Sequence, residues 1–397
     1  MQNRHATKLT VNAENYVQQG HPWIFSDSIV KISLNAETGD LAIIFAKRNN
    51  AMIGIGLYDK SSPIRIKMIY HGRKSVVIDA AFFRNKVEVA YKKRLPLFNT
   101  KTNSYRLIFG ENDGFPSLIA DVYDKVLVVK LYSEIWLNFL DEIIECLIGV
   151  SQTEIVVLRL SRSLQQSNSH QFKDGQVIYG ELENEVVKFV EHGVKFSANV
   201  IKGHKTGYFL DHRENRRQVG LLSKQKSVLD VFSYAGGFSV HALANGAKEV
   251  TSLDISTQAL EVAVRNGKLN NYSGKHMVLA GDAFKILKNL ISEGKTYDVV
   301  VIDPPSFAKQ ETEVKLAKKK YTQLAELGAK LISKNGLLVL ASCSSRVSAE
   351  SFWDINQQIL KTCGKEFKVI HKTQHDVDHP IGFPEGAYLK CGYYRFF

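Results

Sequence analysis

From residue 227 onward, short apolar runs alternate with segments whose apolar residues recur at helical spacing. The runs have strand length and lie at 227–232, 249–254, 275–280, 297–303, 336–342 and 367–371. The helical segments between them include 238–245 and 257–269. Regular alternation of this kind predicts a mostly parallel, doubly wound sheet with helices on both faces, which is a Rossmann-like α/β fold.

The earlier part of the chain has a different pattern, because its strand-length runs follow one another closely. Runs at 40–45, 52–58 and 63–69 are separated by turns, as in a small β-barrel. A helix over 80–95 comes next, and then a group of strands around a second helix at 135–148. We therefore predict three domains: a small β-barrel at 1–74, an α+β domain at 75–182 and the Rossmann-like domain at 183–397.

Positive charge is concentrated near the amino terminus. The chain of 397 residues has a net charge of +12, and residues 1–104 hold 16 Lys and Arg against 7 Asp and Glu. A basic region beside a nearly neutral one predicts contact with a polyanion such as RNA.

The rest of the composition predicts a reduced, cytoplasmic protein. The first residues contain no apolar run typical of a signal peptide, and no run has the length of a membrane span. The four cysteines, at 146, 343, 363 and 391, show no CxxC spacing, and no compact Cys/His cluster occurs. We therefore predict no bound metal and no membrane partner.

The junction at 230–238, between the first strand and first helix of the alternating region, has the composition of a nucleotide-binding turn. The pair Gly236 and Gly237 would let the backbone approach a ligand at a helix amino terminus. Asp254 closes the second strand, where its carboxylate could accept hydrogen bonds from both ribose hydroxyls. The glycines are adjacent and not spaced as GxGxxG, which disfavours a dehydrogenase. A glycine pair alone also fits an ordinary tight turn.

Asp303, Pro304 and Pro305 end the fourth strand of the alternating region. With the glycine pair and Asp254, they resemble the layout of class I S-adenosylmethionine-dependent methyltransferases. That resemblance implies S-adenosyl-L-methionine as the cofactor. Its predicted contacts in this region are Asp230, Phe232, Ser233, Gly236, Gly237, Asp254, Asp282 and Asp303. Asp282 follows the third strand, where this family places a residue that faces the adenine amino group.

A thiol ends the next strand, at Cys343. Ligands of a doubly wound sheet bind outside the carboxyl ends of its strands, so Cys343 and Asp303 should line one opening. A thiolate there can add to carbon 6 of a pyrimidine and activate carbon 5, while a carboxylate holds the polar edge of the ring. Pro304, Pro305 and Phe307 would then contact the substrate, with Phe307 stacked on an extruded base.

Cys343 and Asp303 also have purely structural interpretations. A cysteine outside a disulfide is most often a small buried apolar residue, and an aspartate after a strand often caps a turn. The polar neighbours of Cys343, Ser342 and Ser344 among them, favour a strand end over a core position. The two prolines after Asp303 likewise disfavour the interpretation that this aspartate only caps a turn.

Longer segments along the whole chain resemble one family of RNA enzymes. They are 20–25 (GHPWIF), 110–116 (GENDGFP), 203–213 (GHKTGYFLDHR), 232–238 (FSYAGGF), 303–307 (DPPSF), 342–344 (SCS) and 384–390 (PEGAYLK). These segments are similar to the PUA-domain-bearing large-subunit ribosomal RNA cytosine-5 methyltransferases.

The resemblance assigns an expected role to each domain. It implies a PUA-like RNA-binding domain at 1–74, a central EEHEE-type domain at 75–182 and the methyltransferase domain at 183–397. It implies that Cys343 is the nucleophile and that Asp303 holds the edge of the cytosine. It also adds three cofactor contacts, Tyr208, Asp211 and Arg213. The implied partner is large-subunit ribosomal RNA, and a homodimer is compatible with the sequence.

One feature departs from the broader RNA cytosine-5 methyltransferases, many of which have a second cysteine just after the Asp-Pro-Pro-type motif. Ser306 and Phe307 follow that motif here, so the base that removes the proton from carbon 5 stays unassigned. His375, Asp376 and His379 are candidates, although a solvated loop over 373–380 explains them better.

Two other functions compete with cytosine methylation. A related group of ribosomal methyltransferases acts on guanine and shares the glycine turn and Asp-Pro-Pro, but it lacks a cysteine at the position of Cys343. A non-catalytic RNA-binding or ribosome-assembly factor could also retain the fold. Cofactor affinity and turnover separate these alternatives.

Overall fold

The computed structural model describes residues 3–167 and 169–397. Its contacts divide the chain into two compact units. The amino-terminal unit holds the chain up to Phe189 together with Ala198–Leu210 and Val377–Gly386. The carboxyl-terminal unit holds Val190–Ser197, Asp211–Asp376 and Ala387–Phe397.

The amino-terminal unit begins with a six-stranded sheet of order β2-β6-β5-β4-β1-β3. Its strands are β1 (Arg4–Leu9), β2 (Trp23–Phe25), β3 (Ile29–Lys31), β4 (Leu41–Phe45), β5 (Met52–Tyr58) and β6 (Ile64–His71). Helix α1 (Val11–Gln18) was not predicted from the sequence. It begins where the Thr10 hydroxyl accepts the Ala13 N–H, and it packs through the buried Val17.

A second sheet of the same unit has the order β11-β10-β9-β8-β7 among the described residues. Its elements are α2 (Ala80–Phe98), β7 (Ser104–Phe109), β8 (Leu118–Tyr123), β9 (Val126–Leu131), α3 (Leu140–Ser151), β10 (Ile155–Leu160), α4 (Arg162–Gln165) and β11 (Gln176–Tyr179). The predicted helix at 135–148 is a 3₁₀ segment, Glu134–Phe139, followed by α3. One apolar core joins both sheets, since Leu57 and Ile69 of the first sheet belong to the same cluster as Leu107 and Val129 of the second.

A hairpin of β12 (Val186–Glu191) and β13 (Val194–Asn199) precedes the carboxyl-terminal sheet. Its strands alternate buried and exposed residues, which is the pattern of a strand with one covered face.

The carboxyl-terminal unit contains a seven-stranded sheet of order β16-β15-β14-β17-β18-β20-β19. Its helices are α5 (Arg213–Leu222), α6 (Gly237–Ala244), α7 (Thr257–Lys268), α8 (Ala283–Ser292), α9 (Val314–Leu331) and α10 (Ala349–Lys361). Its strands are β14 (Ser227–Val231), β15 (Glu249–Asp254), β16 (Lys275–Ala280), β17 (Tyr297–Ile302), β18 (Ile332–Ser342), β19 (Phe367–Thr373) and β20 (Lys390–Phe396).

Strands β14 to β18 pair in parallel, whereas β20 is antiparallel to both β18 and β19. The predicted Rossmann-like fold is confirmed. Because Val231 pairs with Ile302 and Ile302 with Leu340, the carboxyl ends of β14, β17 and β18 meet at one edge of the sheet.

Candidate active site

Cys343 and Asp303 lie side by side at the carboxyl edge of the sheet, as the sequence predicts. Asp303 follows β17, and its backbone N–H donates to the Val231 carbonyl of β14 at 3.3 Å. Cys343 follows β18, and its Sγ lies 3.8 Å from the carbonyl oxygen of Pro304. The sheet therefore places the thiol against the turn that carries the carboxylate.

The thiol of Cys343 lies in surroundings that favour its neutral form. Burial and the negative charges of Asp303 and Asp211 raise the pKa of this thiol to about 12. A positive group is nearby at Lys390, which is opposite Ser342 in the β18–β20 register. The Lys390 ammonium donates to the carbonyls of Ser344, Val347 and Tyr388, and burial lowers its pKa to about 8. Lys390 thus fixes the chain that follows Cys343.

A histidine that the sequence analysis did not single out contacts Asp303. The Nε2 of His212 is 3.3 Å from Oδ1 of Asp303, and the imidazole is buried. The other ring nitrogen, Nδ1, is 3.1 Å from the side-chain nitrogen of Asn215. Burial disfavours the imidazolium, but the negative charges of Asp303 and Asp211 outweigh it, and the pKa of His212 is raised.

Asn215 sets the tautomer of His212. The side-chain oxygen of Asn215 accepts hydrogen bonds from the Thr373 hydroxyl at 2.6 Å and from the Tyr393 hydroxyl at 2.9 Å. Its NH₂ group therefore faces Nδ1 of His212, which must accept. The proton of the neutral imidazole is then on Nε2, the nitrogen that lies 3.3 Å from the Asp303 carboxylate.

The predicted cofactor contacts of the 203–213 segment fall in different surroundings. Asp211 accepts a hydrogen bond from the Tyr388 hydroxyl at 2.8 Å. Arg213 is buried, with a guanidinium nitrogen 3.0 Å from the Asp376 carboxylate. Tyr208 belongs to the amino-terminal unit, where its ring packs against Phe189 at 5.1 Å between centroids. The cofactor roles of all three stay predictions.

The turn after β14 has the backbone of a ligand-binding loop. Phe232, Tyr234 and Gly236 all adopt positive φ angles, of 64°, 48° and 78°. A Cβ at Gly236 would lie 2.7 Å from the Cβ of Ala263, so only glycine fits there. Gly237 begins α6 directly behind this turn. Two non-glycine residues in the left-handed region are a costly arrangement of the kind that concentrates at functional sites.

Asp230 is a buried carboxyl with one unused oxygen. Its Oδ2 accepts from the backbone and hydroxyl of Ser239 at 2.9 and 2.6 Å. Across residues 3–167 and 169–397, no donor reaches its Oδ1 or the buried hydroxyl of Ser233. Burial raises the pKa of Asp230 to about 7. These two polar atoms, Oδ1 of Asp230 and the hydroxyl of Ser233, could therefore bind a polar ligand such as the amino-acid part of S-adenosylmethionine.

Asp254 is the last residue of β15, and Asp282 directly precedes α8. The Asp254 carboxylate accepts the backbone N–H groups of Tyr234 and Ser256, each at 2.9 Å. These bonds orient it and leave lone pairs for ribose hydroxyls. Asp282 caps α8 by accepting the Lys285 N–H at 3.0 Å, so its carboxylate already has a structural role.

The residues predicted to hold the substrate differ in exposure. Pro304 is buried, and Pro305 is exposed. Phe307 is half-buried, since its ring packs against Tyr321 at 5.3 Å and has the Lys320 ammonium 4.8 Å from its centroid. A base could stack only on the part of Phe307 that these contacts leave accessible.

The prediction of a solvated loop for His375, Asp376 and His379 is wrong. His375 accepts the backbone N–H groups of Tyr388 and Leu389 through Nε2, and Asp376 pairs with Arg213. His379 is completely buried beside Asp378 in the amino-terminal unit. These side chains anchor the segment, which disfavours them as bases.

Within the described residues, no group of three or more His, Cys, Asp or Glu side chains could hold a metal ion. No helix in the same part of the chain has the length and hydropathy of a membrane span.

Two family profiles cover most of the chain. The profile described as S-adenosylmethionine-dependent methyltransferase matches residues 105–366. A PUA-like domain profile matches residues 8–70, within the predicted first domain.

Curated relatives match over nearly the full length. A ribosomal RNA large subunit methyltransferase of Deinococcus radiodurans is 40% identical over 391 residues, covering 97% of this chain and 95% of the relative. A ribosomal RNA large subunit methyltransferase I of Aeromonas salmonicida is 33% identical and covers 96% and 97%.

Solved structures share the fold. A structure described as a SAM-dependent methyltransferase of Streptococcus mutans aligns with a TM-score of 0.81 at 21% identity, over 98% of this chain and 99% of its own. Another methyltransferase, in complex with S-adenosylhomocysteine, aligns with a TM-score of 0.80 over both complete chains, also at 21% identity. The predicted cofactor, S-adenosyl-L-methionine, is thereby confirmed for the family to which the site belongs.

Proposed function

Because this chain belongs to the S-adenosylmethionine-dependent ribosomal RNA large subunit methyltransferases, we propose that it methylates carbon 5 of a cytosine in large-subunit ribosomal RNA. The reaction proceeds through a covalent adduct with Cys343. One observation carries this choice of base: the Sγ of Cys343 lies 3.8 Å from the Pro304 carbonyl, directly beside Asp303. Methylation of a guanine nitrogen, which is itself nucleophilic, has no use for such a thiol.

Cys343 supplies the nucleophile. Its sulfur forms a bond to carbon 6 of the cytosine, and the electrons of the C5=C6 double bond make carbon 5 nucleophilic. Carbon 5 takes the methyl group, then loses its proton to a base, and the returning electron pair expels the cysteine sulfur. The thiol must lose its proton before attack, since its surroundings favour the neutral form.

Asp303 holds the polar edge of the cytosine, and His212 positions Asp303. A polar group packed beside a carboxylate restricts its rotation. The Nε2 of His212 lies 3.3 Å from Oδ1 of Asp303, within ion-pair distance, and Asn215 fixes the tautomer of the ring. His212 is therefore a positioning residue that acts through Asp303.

The cofactor, when bound, supplies an electrophilic methyl group on a sulfonium. Asp254 would hold the ribose, and Asp230 and Ser233 have polar atoms left for its amino-acid part. Phe232, Gly236 and Gly237 shape the turn that receives it. Asp282 stays the predicted adenine contact, and Tyr208, Asp211 and Arg213 stay predictions that come from the resemblance.

RNA containing 5-fluorocytidine tests this mechanism directly. After thiol addition and methylation, fluorine at carbon 5 cannot leave as a cation, so the adduct persists. We expect a denaturation-stable protein–RNA complex that requires S-adenosylmethionine and is lost in Cys343→Ala. An equally abundant complex with Cys343→Ala, or none with the wild-type protein on RNA that it methylates, would exclude the adduct.

A further inference from the structure

Two of the segments that resemble the RNA enzymes, 20–25 and 110–116, meet at a cavity of the amino-terminal unit. The cavity has a volume of about 200 Å³ and is lined by residues that include Gly20, His71, Lys86, Glu111, Asn112 and Phe383. All of these residues belong to the amino-terminal unit. The active-site chemistry uses none of them.

Lys86 brings a positive charge into this cavity. Its Nζ donates to the carbonyl of Ile69 at 2.7 Å and lies 5.8 Å from the centre of the Phe115 ring. Within the described residues, no carboxylate comes within ion-pair distance of it. Burial lowers the pKa of Lys86 to about 8, as expected for a desolvated ammonium with no close counter-ion. At neutral pH the group is still mostly cationic.

Gly114 makes room for this ammonium. Its φ of 74° lies in the left-handed region, and a Cβ at this position would overlap Nζ of Lys86. The charged nitrogen thus lies against bare backbone, where it keeps hydrogen atoms for a second acceptor.

The other polar groups of the cavity are held in fixed orientations. The Asn112 side-chain oxygen accepts the Gly382 N–H at 2.7 Å, so its NH₂ group remains as a donor. Glu111 uses Oε1 to accept from the Trp23 indole and from the Ser117 N–H, both at 3.2 Å. Phe383 packs edge-on against Trp23, with centroids 5.0 Å apart. An ammonium, an amide and an aromatic wall together suit the phosphate and base of one nucleotide.

We propose that this cavity binds one nucleotide of the substrate RNA, with its phosphate on Lys86 and Asn112. The excess of positive charge over residues 1–104 favours RNA as the occupant. The inference rests on the proposed function for the identity of the RNA, but not on which base is methylated.

Lys86→Met removes the ammonium that lies 5.4 and 5.8 Å from the ring centres of Phe82 and Phe115, and it keeps an unbranched side chain in that place. We expect its affinity for unmodified large-subunit ribosomal RNA to fall roughly tenfold, about the value of one charge-assisted hydrogen bond. The slope of log K against log salt should fall by about 0.7, which corresponds to one phosphate of single-stranded RNA. KM for RNA should rise while kcat and cofactor affinity stay unchanged.

Lys92→Met is the matched control, because Lys92 is an exposed lysine of the same helix. An equal loss in both variants would mean that only overall charge matters, and no loss in Lys86→Met would mean that no phosphate is bound. Either result overturns the proposal.

Acylation of lysines in the wild-type protein, read by mass spectrometry, gives a test that does not depend on a variant. RNA should protect Lys86 and leave Lys92 reactive, whereas inorganic phosphate at the same phosphate concentration should not protect Lys86. Protection by phosphate alone would make this a general anion site and overturn the RNA assignment. Protection by RNA without any 5-methylcytidine product would instead refute the proposed chemistry and leave the cavity assignment intact.

Discussion

The reactivity of Cys343 follows from its surroundings and can be measured without substrate. Its pKa is raised to about 12 by burial and by Asp303 and Asp211, so the thiolate fraction at neutral pH is small. We expect alkylation of Cys343 by iodoacetamide to be slow at pH 7 and to accelerate about tenfold per pH unit up to pH 9. Peptide mapping separates it from Cys363. A rate that levels off near pH 8 would contradict this environment.

Asp230 makes the stability of the fold depend on pH. Its pKa is about 7 in the folded chain, above the ordinary value, so the folded state holds a proton that the unfolded state has already lost. Stability from this group is therefore present at low pH and is lost as the pH rises from about 4 to about 7. Asp230→Asn has no such titration.

We expect the free energy of unfolding of Asp230→Asn, relative to wild type, to increase by up to a few kcal/mol between pH 5 and pH 8. Urea denaturation at four pH values checks this. Parallel pH curves for the two proteins would show that Asp230 titrates normally.

The roles of single residues could be predicted from the sequence where those roles depend on residues that are neighbours along the chain. The thiol after β18 and the Asp303-Pro304-Pro305 turn were predicted as neighbours, and they are. His212 was missed although it lies between Asp211 and Arg213 in a quoted segment. Its role depends on Asp303 and on the link from Asn215 to Thr373, which are contacts that no local pattern contains.

Helix α5 brings the positioning network to the catalytic strand ends. His212 immediately precedes this helix and Asn215 lies in its first turn, so one element orients both the imidazole and its tautomer. We expect His212→Ala to lower kcat roughly 10- to 100-fold, the range found for groups that orient a ligand. Cofactor and RNA affinities should change little.

His212→Gln should recover part of the lost kcat, because its amide can donate toward Asp303. Arg217→Ala is a control on the same helix, since it breaks only a partly exposed pair with Glu214. If alanine and glutamine at 212 were equally impaired, with cofactor affinity lost in both, His212 would have a purely structural role.

At the scale of elements, the apolar runs predicted the bounds best in the parallel strands β14 to β17 of the carboxyl-terminal sheet. Strands β15 and β16 have the predicted bounds, and β14 and β17 each end one residue earlier than predicted. The pattern missed α1 and β1, where the apolar residues are few and mixed with polar ones. It also missed the hairpin of β12 and β13, which separates two regions of clearer pattern.

At the scale of the whole molecule, the excess of positive charge and the predicted cofactor site lie in different parts of the chain. The charge excess lies at 1–104, whereas Asp254 and the glycine turn belong to the carboxyl-terminal unit. The division into three domains stays a prediction, and the shared core of both amino-terminal sheets explains why their contacts form one unit.

Cofactor binding and RNA binding should therefore be separable. We expect Asp254→Ala to weaken S-adenosylmethionine binding at least roughly tenfold, since it removes charge-assisted hydrogen bonds. Its affinity for RNA should equal that of the wild type. Calorimetry with the cofactor and filter binding with RNA measure the two, and a parallel loss of both would contradict the separation.

Nucleoside analysis after methyl transfer tests the central claim most directly. Unmodified large-subunit ribosomal RNA is incubated with labelled S-adenosylmethionine and either wild-type protein or Cys343→Ala, then digested and examined by mass spectrometry. We predict labelled 5-methylcytidine with the wild type and none with the variant, at equal cofactor affinity. Label on guanosine, or undiminished 5-methylcytidine from Cys343→Ala, would contradict the covalent cytosine mechanism.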